Sequence, residues 1–168
     1  AFTGERIMGA ILFENTMDRQ VEGKTTAGYL WDVKHVVPFL KIDKGLEDVA
    51  DGAQVLKPMP VLDELLKRAV SNGVFGTKAR SVISAANVDG IRAVVQQQFK
   101  VGNQVLAAGL VPIIEPEVTI DIADKAEAEQ ILLNEITIAL DTVPEGQQIM
   151  LKLTLPEVAN TYAALNDH

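Results

Sequence analysis

The sequence predicts an α/β fold built on a parallel sheet, and three observations carry that reading. Five short apolar runs, at 7–14, 36–43, 75–84, 110–119 and 149–155, are rich in Val, Ile, Leu and Phe. They lack clean apolar/polar alternation, as do strands buried on both faces. Segments of helical period separate them, and the strand starts lie 29, 39, 35 and 39 residues apart. Such a spacing accommodates a strand, a crossover helix and two loops. Alternating order implies a parallel sheet, either doubly wound or closed as an eight-stranded barrel. Eight units averaging about 36 residues need roughly 290, the usual size of a TIM (β/α)8 barrel. The 168 residues supply about five βα units. Residues 1–168 are therefore read as one partial barrel domain, incomplete at both ends.

Each intervening segment has its own signature. Residues 61–70 carry apolar residues at Val61, Leu62, Leu65, Leu66 and Val70, with charges between them. In 86–108 the face is Ile91, Val94, Val95, Phe99 and Val105. The stretch 122–140 is acidic at its start, as a helix N-terminus favours, and aligns Ile131, Leu132, Ile136 and Leu140. Its charges between Asp121 and Glu129 read as a solvated face. Residues 157–165 are expected to form one more helix. Trp31 and Met17 read as packing or loop residues.

Composition excludes several classes of function. Fifteen Lys+Arg against 23 Asp+Glu leave a net charge of −8, which opposes binding to nucleic-acid phosphates. No run approaches the roughly 18 apolar residues that a bilayer span requires, so no membrane partner is expected. The absence of cysteine removes disulfides, thiolate zinc sites and thiol nucleophiles. His35 and His168 are the only histidines and lie far apart, so no metal site is predicted. A cytoplasmic location is compatible with this composition, and a homo-oligomer is possible.

Four consecutive strands carry polar side chains two residues apart near their carboxyl ends. These are Lys41 and Asp43, Lys78 and Arg80, Glu115 and Glu117, then Lys152 and Thr154. A spacing of two puts each pair on one face of its strand, with Leu40, Ile42, Leu151, Leu153 and Leu155 facing covering helices. A solvated strand end or an internal ion pair explains any one of these pairs. Four in succession at carboxyl ends, where parallel α/β folds place their chemistry, point to a site. Cations facing two carboxylates suit an anionic substrate with an acid/base group beside it. Lys44 points elsewhere by alternation. Lys152, set among leucines and near Lys78, is expected to have a lowered pKa, since burial and like charge both oppose protonation. A lysine free as an amine near neutral pH can attack a carbonyl and form a Schiff base.

These strings resemble class I (Schiff-base) fructose-bisphosphate aldolase in its shorter bacterial form. The resemblance spans essentially the whole chain. It rests on Gly9-Ala-Ile-Leu-Phe-Glu14, Val37-Pro-Phe-Leu-Lys-Ile-Asp-Lys-Gly45, Phe75-Gly-Thr-Lys-Ala-Arg-Ser81, Gly109-Leu-Val-Pro-Ile-Ile-Glu-Pro-Glu117 and Met150-Leu-Lys-Leu-Thr-Leu-Pro156. It implies reversible cleavage of fructose 1,6-bisphosphate to dihydroxyacetone phosphate and glyceraldehyde 3-phosphate, with no cofactor and no metal. By motif match, Lys152 takes the place of the Schiff-base lysine and Glu115 that of the acid/base glutamate. Glu117 corresponds to the residue that positions the lysines, and Lys78 to the lysine that holds substrate oxygens. Lys41 and Arg80 correspond to the substrate cleft and its phosphate end, with Asp43 beside them. The family's first-strand aspartate, seventh-strand Ser-Gly-Gly and eighth-strand arginine have no counterpart here. The sequence thus reads as strands two to six of the barrel, and the isolated piece is expected to be inactive.

Three other readings compete with this one. A Schiff-base aldolase acting on a different ketose phosphate shares these strands, and an inactive fragment serving assembly shares them too. A nucleotide binder is disfavoured, because no Gly-x-Gly-x-x-Gly occurs and Gly76-Thr-Lys78 lacks the ending of a phosphate loop.

Overall fold

Val, Ile and Leu on alternate positions of each strand need an apolar cover, and the three long helices supply it. The computed structural model describes residues 2–167. Its main sheet contains the parallel strands β1 (Gly9–Leu12), β2 (Val37–Lys41), β3 (Gly76–Ile83), β4 (Val111–Val118) and β5 (Met150–Leu151). Their spatial order is 1-2-3-4-5, so every strand pairs in parallel with its neighbour in the chain. A doubly wound sheet would reverse its order at a switch point. The uninterrupted order is that of an arc of a (β/α)8 barrel.

Helices α1 (Leu62–Ser71), α2 (Val88–Ala107) and α3 (Lys125–Leu140) cover the outer face. Leu40 and Ile42 pack with Leu62, Leu65 and Leu66 of α1 and with Val101 and Val105 of α2. A second cluster joins Ile83, Ile114 and Val118 to Ile91, Val94 and Val95 of α2 and to Leu132 and Ile136 of α3. Helix α2 begins where the Asn87 side chain accepts from the Asp89 and Gly90 N–H groups, satisfying two donors that the first turn leaves free.

The predicted periods find their elements, with shorter ends. The first run forms a ladder only at Gly9–Leu12. Its two-sided burial is not realised: Ile11 and Phe13 are exposed, because the concave face of the arc has nothing opposite them. The last run pairs only at Met150–Leu151, although the Lys152 N–H still donates to the Ile114 carbonyl at 2.9 Å. The helix expected over 157–165 is absent. Pro156 precedes it and Asn160 adopts a left-handed φ of 65°, so the chain turns and forms only a 3-10 segment at Ala163–Asp167. Leu155, expected beneath a helix, is 86% exposed.

Several small features had no periodic signal. Gln20–Val21 and Lys24–Thr25 form a two-stranded hairpin, a π-type turn spans Leu30–Lys34, and Ala53–Gln54 pairs antiparallel with the end of β3. Below the sheet, Phe75 stacks on Trp31 with centroids 6.1 Å apart and meets Phe39 edge-on at 5.6 Å. Met17 is fully buried.

Gly76 opens β3 where no side chain fits. A Cβ there would stand 2.1 Å from the Val111 carbonyl oxygen and 2.9 Å from the Phe39 ring. Gly76→Ala is expected to destabilise the fold by about 1–3 kcal/mol, the usual scale for overpacking, as measured by the shift of a urea unfolding midpoint at unchanged slope.

Candidate functional site

The strand register brings the charged pairs together. Lys41 lies opposite Lys78, and Arg80 lies opposite Glu115. The Lys152 N–H bonds to the Ile114 carbonyl, which places its side chain beside Glu115 on the concave face. Residues of alternate parity, Leu40, Ile42, Ala79, Ile83, Ile114 and Val118, are buried on the convex side. The parity argument from sequence therefore holds through β4.

Glu115 is the centre of the cluster. Its side chain is almost fully buried, and two ammonium groups share it. Lys152 Nζ donates to Glu115 Oε1, while Lys78 Nζ stands 2.8 Å from Oε2. The second contact is an ion pair whose angle falls short of a hydrogen bond, so Oε2 has no aligned donor. Lys78 is itself buried, with Asp43 Oδ2 at 4.0 Å on its other side. Asp43 in turn accepts from Lys41 Nζ at 2.5 Å and from the Arg80 N–H at 3.3 Å. A charge placed inside an apolar sheet is stable only when paired, and here each buried charge has an opposite neighbour.

Lys152 departs from expectation. Its side chain is 55% exposed rather than enclosed by leucines, and its immediate charged neighbour is a carboxylate. Glu117 also differs. Its carboxylate pairs with Arg80, at 3.3 Å, and not with a lysine. It sits further along β4, opposite Val82, where only the longer Arg80 side chain reaches it. Thr154 turns away and donates to the Val118 carbonyl at 2.8 Å. Lys44 pairs with Glu14, outside the cluster, as alternation implies.

Some supporting residues escaped the sequence reading. Gln98 of α2 is fully buried and donates to the Ala79 carbonyl at 3.0 Å and to Ser81 Oγ at 2.9 Å, bracing β3 between Lys78 and Arg80. Its signal was its place on the apolar face, four residues after Val94 and three after Val95. The supposedly solvated face of 121–129 is partly a core feature, because Lys125 and Glu129 are buried. Both share the turn-by-turn spacing of Leu132 and Ile136.

The concave face thus offers an amine hydrogen-bonded to a buried carboxylate, a second ammonium on that carboxylate, and two further cations at the rim. Such an arrangement can bind an anion, exchange a proton and present a nucleophilic nitrogen. Among the described residues no cluster of His, Cys, Asp and Glu suited to a metal ion was found, and no helix is long and apolar enough to cross a membrane.

The family model "Fructose-bisphosphate aldolase class-I" matches residues 2–163. The fructose-bisphosphate aldolase class 1 of Synechocystis sp. is 54% identical over 167 residues, 99% of this chain and 56% of that protein. A solved fructose-bisphosphate aldolase from Plasmodium falciparum, in complex with TRAP and a small-molecule inhibitor, superposes with a TM-score of 0.75 at 25% identity. That match covers 96% of this chain and 53% of the other. The chain spans little more than half the length of these relatives. The chain belongs to the class I fructose-bisphosphate aldolase family.

Proposed function

We propose that the protein carrying these residues cleaves fructose 1,6-bisphosphate reversibly to dihydroxyacetone phosphate and glyceraldehyde 3-phosphate through a Schiff base on Lys152. The observation that carries this reading is the sharing of one buried carboxylate, Glu115, between Lys152 and Lys78. Family membership and the names of the relatives support it.

Each step uses a group already in place. Transfer of one proton from Lys152 to Glu115, its hydrogen-bond partner, frees the amine. The nitrogen attacks the ketone carbon and gives a carbinolamine. Glu115 then returns the proton to the departing hydroxyl, which leaves as water. Lys78, fixed by Glu115 and Asp43, holds substrate oxygens as charge moves between them. The resulting iminium withdraws electrons as the carbon–carbon bond breaks, and the hydroxyl of the departing fragment gives its proton to the Glu115 carboxylate that dehydration left ionised, so the aldehyde product departs and an enamine remains. Protonation of that enamine and hydrolysis of the imine release the second product and restore the lysine. Lys41 and Arg80 serve the substrate's anionic end, with Asp43 orienting Lys41 and Glu117 orienting Arg80. The reaction needs no metal or organic cofactor, because the iminium is the electron sink. A cytoplasmic location fits this chemistry. Residues 1–168 act as one part of a closed barrel.

In the full-length protein, borohydride reduction with dihydroxyacetone phosphate is expected to place substrate carbon on Lys152, as read by peptide mapping. An adduct on Lys41 or Lys78 instead overturns the assignment.

Glu115→Gln is expected to slow imine formation and turnover by about 10²–10⁴-fold, the usual contribution of a general acid/base. Single-turnover trapping checks this, and rates near wild type would make Glu115 structural.

A polypeptide of residues 1–168 alone is expected to associate and to show no appreciable cleavage. Its outer strands β1 and β5 are each paired on one side only, leaving ladder groups free for other chains. Sedimentation and a cleavage assay test this; a monomer with near-normal turnover overturns it.

A further inference from the structure

Helix α3 carries two charged side chains that the site does not touch. Lys125 and Glu129, one turn apart, are both buried, Glu129 to 1% exposure, and their charged atoms lie 2.5 Å apart. A pair at this spacing on a helix surface contributes little and is left to solvent. Here each partner has a second contact, and both contacts reach the same stretch of chain. Lys125 Nζ donates to the Leu155 carbonyl at 2.9 Å, and the Glu157 N–H donates to Glu129 Oε2 at 2.9 Å.

The base of this clamp is firm. Ala128, Leu132 and Ile136 of α3 are fully buried against the sheet, and Asp124, just before the helix, accepts from the Ala86 N–H at 2.6 Å. Tyr162 packs on the same core. Its phenol is pushed up, first by burial and then by the Glu129 carboxylate, so it meets the pair as a neutral group.

The clamped stretch begins three residues after Lys152. Before Lys152, the strand is held by only two register pairs, Ile113 with Met150 and Ile114 with Leu151. After it, Leu155 is exposed and offers no apolar anchor. Between ladder and clamp the holds are the Lys152 N–H on the Ile114 carbonyl, the partly buried Leu153 side chain on the second core cluster and the Thr154 hydroxyl on the Val118 carbonyl. Lys152 is therefore strung between a short ladder on one side and a buried ion pair on the other.

We propose that Lys125 and Glu129 are positioning residues for Lys152, fixing residues 155–157 so that its amine stays on the Glu115 carboxylate. The proposal rests on the reading of Lys152 as the nucleophile. A buried ion pair is a poor source of net stability but holds its partners in a definite geometry. Misplacing a reacting group by about 1 Å is enough to slow a reaction on the order of 10²-fold.

The test uses the full-length protein with Lys125→Met and Glu129→Gln combined. That variant leaves no unpaired charge in the core and keeps an acceptor for the Glu157 N–H, while removing the tie to Leu155. Single-turnover borohydride trapping with dihydroxyacetone phosphate, normalised to folded protein, is expected to show imine formation slowed roughly 10- to 100-fold. KM for fructose 1,6-bisphosphate is expected to remain within about twofold, as when substrate binding itself is unchanged. A wild-type trapping rate, even with a lowered melting temperature, overturns the proposal and leaves the pair purely structural. If the combined variant does not accumulate as folded protein, Thr154→Val loosens the same segment without disturbing a charge. Slowed trapping then supports the proposal, and an unchanged rate overturns it. Absence of any adduct on Lys152 in the wild-type protein overturns the site assignment and the clamp together. A wild-type adduct with unaltered variant rates overturns the clamp alone.

Discussion

One buried carboxylate governs the concave face of this sheet. Glu115 sits inside an otherwise apolar strand, and a charge there is unstable unless it is answered at close range. Lys78 and Lys152 answer it from the strands on either side, and Asp43 lies on the far side of Lys78. Three strands are thereby held in one register on both faces, by helices outside and by charge inside. If β3 slipped by one residue relative to β4, Lys78 would turn from Glu115 toward the helices, and the residues of alternate parity, Ala79 and Ile83, would leave the core. The geometry of the site and the register of the sheet are thus the same constraint.

The helices on the convex face contribute more than apolar cover. Gln98 reaches from α2 into the backbone of β3, and Lys125 with Glu129 reaches from α3 to the segment beyond β5. In both cases a polar side chain within an apolar helix face fixes chain close to a charged residue of the site. Hydrogen bonds of this kind are directional, which hydrophobic contact is not. The cores bring the elements together, and these few polar struts set where the strand ends stop.

The parts legible in the sequence were those that depend on period alone. Runs of Val, Ile and Leu marked the strands, a spacing of two put Lys41, Lys78, Glu115 and Lys152 on one face, and the 3.6-residue period located all three long helices. What escaped depended on tertiary surroundings. Gln98, Lys125 and Glu129 look identical to solvated helix residues until their neighbours are known, although Gln98 shares the face of Val94 and Val95, and Lys125 and Glu129, read as solvated, continue the spacing of Leu132 and Ile136. The exposure of Lys152 and Leu155 follows from the open concave side and the short ladder of β5, and no local pattern reports either. The turns at 157–165 replaced a helix because Asn160 takes a left-handed conformation, a choice that apolar spacing does not encode.

The order in which the strands lie has a consequence for how the chain acquires its structure. Each strand pairs with the one made just before it, so sheet assembly requires only loops of a few tens of residues to close at a time. Such a topology can build up from the amino terminus as a ribosome releases it, one βα unit after another. Lys78 emerges before Glu115, and Lys152 comes 37 residues after Glu115. The carboxylate therefore meets a counter-charge as soon as its own strand docks, and is neutralised well before the lysine that follows β5 exists. The nascent sheet never has to carry that charge alone, and the last partner to arrive is the one whose side chain stays half exposed.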